Sequence, residues 1–149
     1  MRNPPSDFVM GWTVPVDPKW SQIHDGRDRR EGMSDHKPVV EQYIDGFRKG
    51  DRAQVLSCLA DDVVWTIHGE QTIEGKEAFD REMATGAAYD LPDLVLDDLV
   101  EQGETVVAIG HGHLDPPDGD RTAFVFSEVF RFRRDLVRSL DTFHIDLTD

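Results

Sequence analysis

An α+β fold, with helices first and a mostly antiparallel sheet after them, is predicted by three features of this chain. Apolar residues recur at helical spacing along the stretch that begins near Ser34. Four strand-like runs then follow Pro92 with no helix between them. Turn sequences rich in Gly, Pro and Asp separate those runs.

Ser34 or Asp35 is placed to cap the first helix, because a side-chain oxygen there satisfies free backbone N–H groups. Val39, Val40, Tyr43, Ile44 and Phe47 form its apolar stripe. Gly50 is suited to end that helix, and Asp51 to cap a short second one with Val55, Leu56 and Leu59 on its apolar face. Asp61-Asp62 is expected to turn the chain into a strand from Val63 to His68, a run rich in β-formers. Gly69 to Gly75 reads as a loop, and a third helix is expected from about Lys76 to Thr85 with Phe79 and Met83 on one side. The four later strands are placed at Leu94–Glu101, Thr105–Leu114, Thr122–Arg133 and Leu136–Leu147. Gln102-Gly103-Glu104, Pro116-Pro117-Asp118-Gly119-Asp120 and Arg134-Asp135 connect them.

A length of 149 residues suits one domain with a real core. No apolar run approaches the ~18 residues needed to span a membrane. Residues 1–34 lack the apolar centre of a secretory signal, so a cytoplasmic protein is expected. The net charge is −14. Residues 1–34 carry five basic and five acidic side chains, so the excess negative charge lies entirely beyond them. Such a surface repels nucleic acid and anionic membranes, and neither is expected as a partner. Residues 1–33, with Pro4, Pro5, Pro15, Pro18 and the charged run Asp25 to Glu31, hold no steady period. They read as a flexible arm outside a domain at 34–149. Two accounts of the arm stay open. Met33-Ser-Asp-His resembles an ordinary start, making the arm an over-extended one; or Phe8, Trp12, Val14, Val16 and Trp20 dock on a partner subunit. Cys58 is the sole cysteine, which rules out an intrachain disulfide and points to a small core residue.

Strand alternation sorts the later residues onto faces. His111 and His113 share a face with Val107 and Ile109. Phe124, Phe126, Glu128, Phe130 and Phe132 share another, and Leu140, Thr142 and His144 a third. The Phe row is apolar enough to be buried, with a carboxylate in its middle. A buried, unpartnered carboxylate ion is costly, so Glu128 is expected to be paired or protonated.

The order of elements carries a resemblance. Tyr43-Ile44 followed by Gly50-Asp51, then Leu59-Ala-Asp-Asp-Val-Val-Trp65, then Gly75 and the paired final strands, resembles the nuclear-transport-factor-2-like superfamily, which includes SnoaL-like cyclases and ketosteroid isomerases. The resemblance covers roughly residues 36–147. It implies a cone, with helices packed against a strongly curved, mostly antiparallel sheet around one closed-end apolar pocket. It also aligns Tyr43 with the oxyanion-binding tyrosine of the isomerases. Glu128 aligns with their second donor, an aspartic acid kept protonated by an apolar site, through Val129 and Arg131-Phe132. Ile67 stands where they carry the proton-transferring aspartate, so the usual base is missing.

His144, His111 and His113 are the expected replacements, since imidazole titrates near neutral pH. Phe47, Trp65, Ile67, Phe79, Met83, Ile109, Phe124, Phe126, Phe130, Leu140 and Thr142 are the expected pocket wall. The function expected is a cofactor-independent acid–base enzyme, an isomerase, dehydratase, cyclase or hydrolase, acting on a small apolar oxygen-bearing molecule. The alternative is a non-catalytic binder of such a molecule, or a dimeric scaffold. His111-Gly-His113 with His144 or Glu128 has the makings of a three-ligand metal site, but the motif is short and this fold usually works without metal, so none is expected. An epoxide-hydrolase mechanism would want an inward Asp-Arg-Asp, and by parity Arg131 faces away from Glu128. A homodimer is expected through the outer face of the sheet, with Val125, Val129, Val137 and Phe143 outward.

Overall fold

In the computed structural model, residues 35–85, 91–117 and 119–147 are described, all within the unit Ser34–Asp149. The expected arm at 1–33 lies outside the described residues, as does Ser34. The first helix, α1 (Lys37–Lys49), starts at His36 with Pro38 in its first turn. The His36 side chain makes no cap bond, but the Asp35 carboxylate accepts from the Lys37 N–H at 3.2 Å, as expected of a residue at this helix start. The Glu101 carboxylate adds a second anchor, accepting from the His36 backbone N–H at 3.0 Å. It also meets Nδ1 of the His36 ring at 3.1 Å, while Nε2 donates to the Arg134 carbonyl at 2.9 Å. The ring stacks on Phe132 at 4.2 Å. The start of α1 is thus pinned to the sheet as well as capped locally.

Gly50 ends α1 in the left-handed conformation, at φ 69°. Asp51 caps α2 (Arg52–Leu56) by accepting from the Gln54 N–H at 3.1 Å. Cys58 follows α2, buried and free. The strand β1 (Leu59–Ile67) then begins four residues earlier than expected. Asp61 and Asp62 are not a turn but an exposed stretch inside a register shift between Leu59 and Val64, where Asp62 pairs with Arg133 at 2.5 Å.

The expected loop after β1 contains a further strand, β2 (Gln71–Glu74), paired antiparallel with β1. Four residues with only Ile73 buried show no readable period, so this edge strand was invisible to alternation. The third helix, α3 (Lys76–Thr85), buries Phe79 and Met83 as expected. The remaining strands are β3 (Val95–Gln102), β4 (Thr105–Leu114), β5 (Thr122–Arg133) and β6 (Leu136–Leu147). They complete a curved, unclosed six-stranded sheet in the order β2-β1-β6-β5-β4-β3, antiparallel except between β1 and β6.

The three helices pack on the inner face of this sheet. Val40, Tyr43, Ile44 and Phe47 of α1 join Phe124, Phe126, Phe130 and Phe132 of β5, with Val106 and Ala108 of β4 and Leu140 of β6. Two faces differ from the parity expectation. On β4 the inward residues are Val106, Ala108, Gly110 and Gly112, because these lie directly opposite Phe130, Glu128, Phe126 and Phe124. Ile109, His111 and His113 therefore point to the outer face, and Ile109 is 43% exposed. The physical reason is space. The Phe126 ring and the β3 backbone lie over Gly110, where a Cβ would stand 2.7 Å from the ring and 2.2 Å from the Val95 carbonyl oxygen. On β6 a register shift between Arg131 and Phe132 turns Val137 inward, where it is fully buried rather than outward as expected.

Gly110→Ala should destabilise the fold by about 1–3 kcal/mol through overpacking. Gly112→Ala, whose nearest neighbour would be the far end of the Phe124 ring at 3.0 Å, should cost less. Urea midpoints of the two variants check this, and equal losses would contradict it.

Candidate functional site

The inner face leaves one end of the core unfilled, and a cavity of about 360 Å³ opens there. Ile44 and Phe47 of α1, Trp65 and Ile67 of β1, and Met83 of α3 line one side. Leu91, Leu94, Leu114, Phe124 and Phe126 line the other. Thr142 and Glu128 supply polar atoms within this wall, while Glu70, Glu82, His144 and Asp146 complete the lining.

Glu128 is 9% exposed and faces Thr142 across the β5–β6 pair. The Trp65 Nε1–H donates to Thr142 Oγ1 at 2.9 Å. An indole nitrogen can only donate, so the threonine hydroxyl accepts there and must spend its own hydrogen elsewhere. It donates to Glu128 Oε2 at 2.8 Å. Oε2 is thereby an acceptor, and when Glu128 is protonated the hydrogen sits on Oε1. Oε1 has no hydrogen-bond partner among the described residues, and Glu128 is part of the cavity wall. Burial lifts the Glu128 acid from an ordinary 4.5 to about 7, with the Thr142 hydrogen bond pulling the other way.

Tyr43 sits behind the wall rather than in it. Its ring packs against Phe47 at 5.0 Å and edge-on to Phe130 at 5.1 Å. Its hydroxyl is buried and unpartnered among the described residues. Burial first, and then the charge of Glu128, hold its pKa well above the usual phenol value, so the hydroxyl keeps its proton.

His144 stacks on Phe124 at 4.5 Å. Its Nε2 meets Asp146 Oδ1 at 2.8 Å. A carboxylate there favours the tautomer with hydrogen on Nε2 and leaves the Nδ1 lone pair free to accept a proton. Thr142 and His144 are alternate residues of β6 on one face, so the imidazole stands one pleat, roughly 7 Å, from the hydroxyl that holds Glu128.

The expected site residues divide three ways. Glu128, His144, Phe47, Trp65, Ile67, Met83, Phe124, Phe126 and Thr142 meet at the cavity. Tyr43, Phe79, Phe130 and Leu140 lie one layer deeper and support it, with Phe79 stacked on Trp65 at 4.3 Å. Ile109, His111 and His113 are on the other side of the sheet, and His111 there pairs with Asp97 at 2.7 Å. They cannot share an ion with Glu128 or His144, and no three potential ligands gather for a metal among the described residues. Sequence reasoning missed Ile44, Leu91, Leu94, Leu114, Glu82 and Asp146 as wall residues. Asp146 was legible, being two residues past His144 on the same face; Leu91 and Leu94 come from an irregular stretch that carries no period.

With this geometry in view, the comparisons with known proteins are specific. A model of the SnoaL-like domain matches residues 40–140. No curated protein matches the chain. Among solved structures, a protein of unknown function from Burkholderia pseudomallei K96243, described as NTF2-like, is 25% identical. It superposes with a TM-score of 0.64 over 72% of this chain and 88% of its own. An LEH-like epoxide hydrolase of M. tuberculosis is 19% identical, with a TM-score of 0.62 over 72% of this chain and 80% of that one. TerC, co-crystallised with polyporic acid, is 21% identical, with a TM-score of 0.62 over 76% and 91%. The last two show likeness of fold alone.

Between pH 4.5 and about 7 the folded chain keeps a proton on Glu128 that the unfolded chain has released. The contribution of Glu128 to stability therefore falls as pH rises through this window, by about 3 kcal/mol in all, and is flat above it. Glu128→Gln removes that dependence. Urea unfolding at about pH 5 and about pH 8 should show wild type losing stability relative to the variant. Parallel changes in the two proteins would show that Glu128 is ionised throughout.

Proposed function

We propose, from the premise that this chain belongs to the SnoaL-like domain family, that it is a cofactor-independent acid–base enzyme acting on a small apolar carbonyl compound. One observation carries the reading: Glu128 presents its unpartnered oxygen to an apolar cavity with an acidity near 7. Below that pH it is a neutral acid inside a low-dielectric wall, able to donate to a carbonyl oxygen and stabilise the charge that grows there. His144, oriented by Asp146, is the base. Its Nδ1 takes a proton from the carbon beside the carbonyl as Glu128 Oε1 gives one to the oxygen, and the enol so formed can be reprotonated elsewhere or lose a leaving group. Thr142 and Trp65 position Glu128 and never touch the reacting atoms. The buried hydroxyl of Tyr43 lies outside the cavity lining and makes no hydrogen bond to Glu128. No arginine lines the cavity among the described residues, which weighs against an epoxide-opening Asp-Arg-Asp arrangement.

A second reading, ligand binding without turnover, is favoured by Ile67. It puts an apolar side chain in the wall at the place where the resembled isomerases carry their base. Deuterium exchange separates the two. With an apolar ketone such as 1-tetralone in D2O, wild type should speed exchange of the hydrogens beside the carbonyl, followed by proton NMR, and lose rate as pH rises through about 7. Glu128→Gln and His144→Ala should each cut the rate by roughly 10²-fold or more while the circular dichroism stays unchanged. Wild type no faster than buffer would leave the binder.

The outer face supports a homodimer. Ile109, Val125, Phe143 and Ile145 are 43%, 36%, 42% and 61% exposed on neighbouring strands, with Val125 directly opposite Ile145, and association would remove this apolar area from water. Val137, being buried, takes no part. Sedimentation at micromolar concentration should give a dimer, and Phe143→Asp with Ile145→Asp a folded monomer. A wild-type monomer would end this proposal.

A further inference from the structure

The cavity has a mouth of one charge sign. Glu70 lies just past β1, Glu82 on α3 and Asp146 near the end of β6, so three separate elements bring carboxylates to the lining. No lysine or arginine lines the cavity among the described residues. Some carboxylates elsewhere on this surface find cations: Asp45 meets Arg48 and Lys49, Asp80 meets Arg52, Asp93 meets Arg121, and Asp141 meets Arg131. Asp146 has His144 at 2.8 Å, but Glu70 and Glu82 form no ion pair with any described residue. Below them the wall is hydrocarbon and aromatic, and at its base stands the nine-tenths buried Glu128 with one oxygen unpartnered.

Each layer restricts the ligand. The wall selects an apolar body. An anionic group brought inside would pass Glu70, Glu82 and Asp146 with no lysine or arginine in the lining to offset them, so carboxylates and phosphates are disfavoured by like charge. A cation at the mouth supplies what Glu70 and Glu82 lack, and the face of an aromatic wall also favours it. We propose that the ligand of this cavity is an amphiphilic amine, its hydrocarbon body in the pocket, its polar oxygen toward Glu128 and its protonated nitrogen between Glu70 and Glu82. This rests on the reading of the cavity as the ligand site and narrows its substrate class to oxygen-bearing amines.

Three probes of one shape and different charge test it: 2-naphthylmethylamine, 2-naphthylmethanol and 2-naphthoate. Dissociation constants are read from the Trp65 indole N–H resonance at neutral pH in low and high salt. The amine should bind about tenfold more tightly than the alcohol, as two rim carboxylates acting through water-like dielectric allow, and the carboxylate most weakly. High salt and the Glu70→Gln/Glu82→Gln double variant should each bring the amine back toward the alcohol. An alcohol that binds as well as the amine, or a preference that survives the double variant, overturns the proposal while leaving the pocket as the site. If none of the three moves the Trp65 resonance, the pocket reading itself falls and this proposal with it.

Discussion

Burial of the phenylalanine row on β5 is the constraint from which the rest follows. Phe124, Phe126, Phe130 and Phe132 are all less than a tenth exposed, and each such side chain removed from water contributes roughly 1.5–3 kcal/mol. Glu128 lies in the middle of the row, and holding it there as an ion costs about 3 kcal/mol by its displaced acidity. Four aromatic rings outweigh one carboxyl. The strand therefore stays with this face inward, and the carboxyl adapts by keeping its proton into the neutral range.

The same row dictates its neighbours. The rings need room, and β4 supplies it by presenting Ala108, Gly110 and Gly112 opposite Glu128, Phe126 and Phe124. Its larger side chains, the histidines among them, are turned to the far side as a consequence. On the opposite flank, β6 presents Leu140, Thr142 and His144 to the row. A hydrogen-bond chain from Trp65 through Thr142 to Glu128 thus crosses β1, β6 and β5, three of the four internal strands of the sheet. A site carried on strands that are each paired on both sides holds its geometry better than one carried on loops.

The helices close the opposite side without filling it. The His36–Glu101 contact anchors the start of α1 to β3 and the Arg134 turn, and Phe132 stacks beneath the His36 ring. The fixed start and the packed Tyr43–Phe130 contact bring α1 hard against one end of the sheet. Toward Phe47 the two layers part, and the cavity occupies that gap. Membership of the SnoaL-like domain family accounts for the scaffold; the chemistry offered here depends on the side chains this chain places in the gap.

From the sequence alone came the class of fold, the order of the helices and main strands, and the bounds of β4, β5 and β6, because strong periods and Gly, Pro and Asp punctuation are local signals. The sequence also picked out Glu128, since a lone carboxylate in a row of phenylalanines is conspicuous by composition, and it placed Thr142 and His144 on one face. Tertiary structure decided which face of β4 looks inward, because that depends on what lies across the ladder and not on the strand's own alternation. It decided Val137, through a register shift that no period foretells, and β2, too short to show one. It alone revealed that Oε1 is the oxygen of Glu128 left without a partner among the described residues. That follows from an indole, a hydroxyl and a carboxyl up to 77 positions apart coming within hydrogen-bond reach, a juxtaposition that exists only once the sheet has formed.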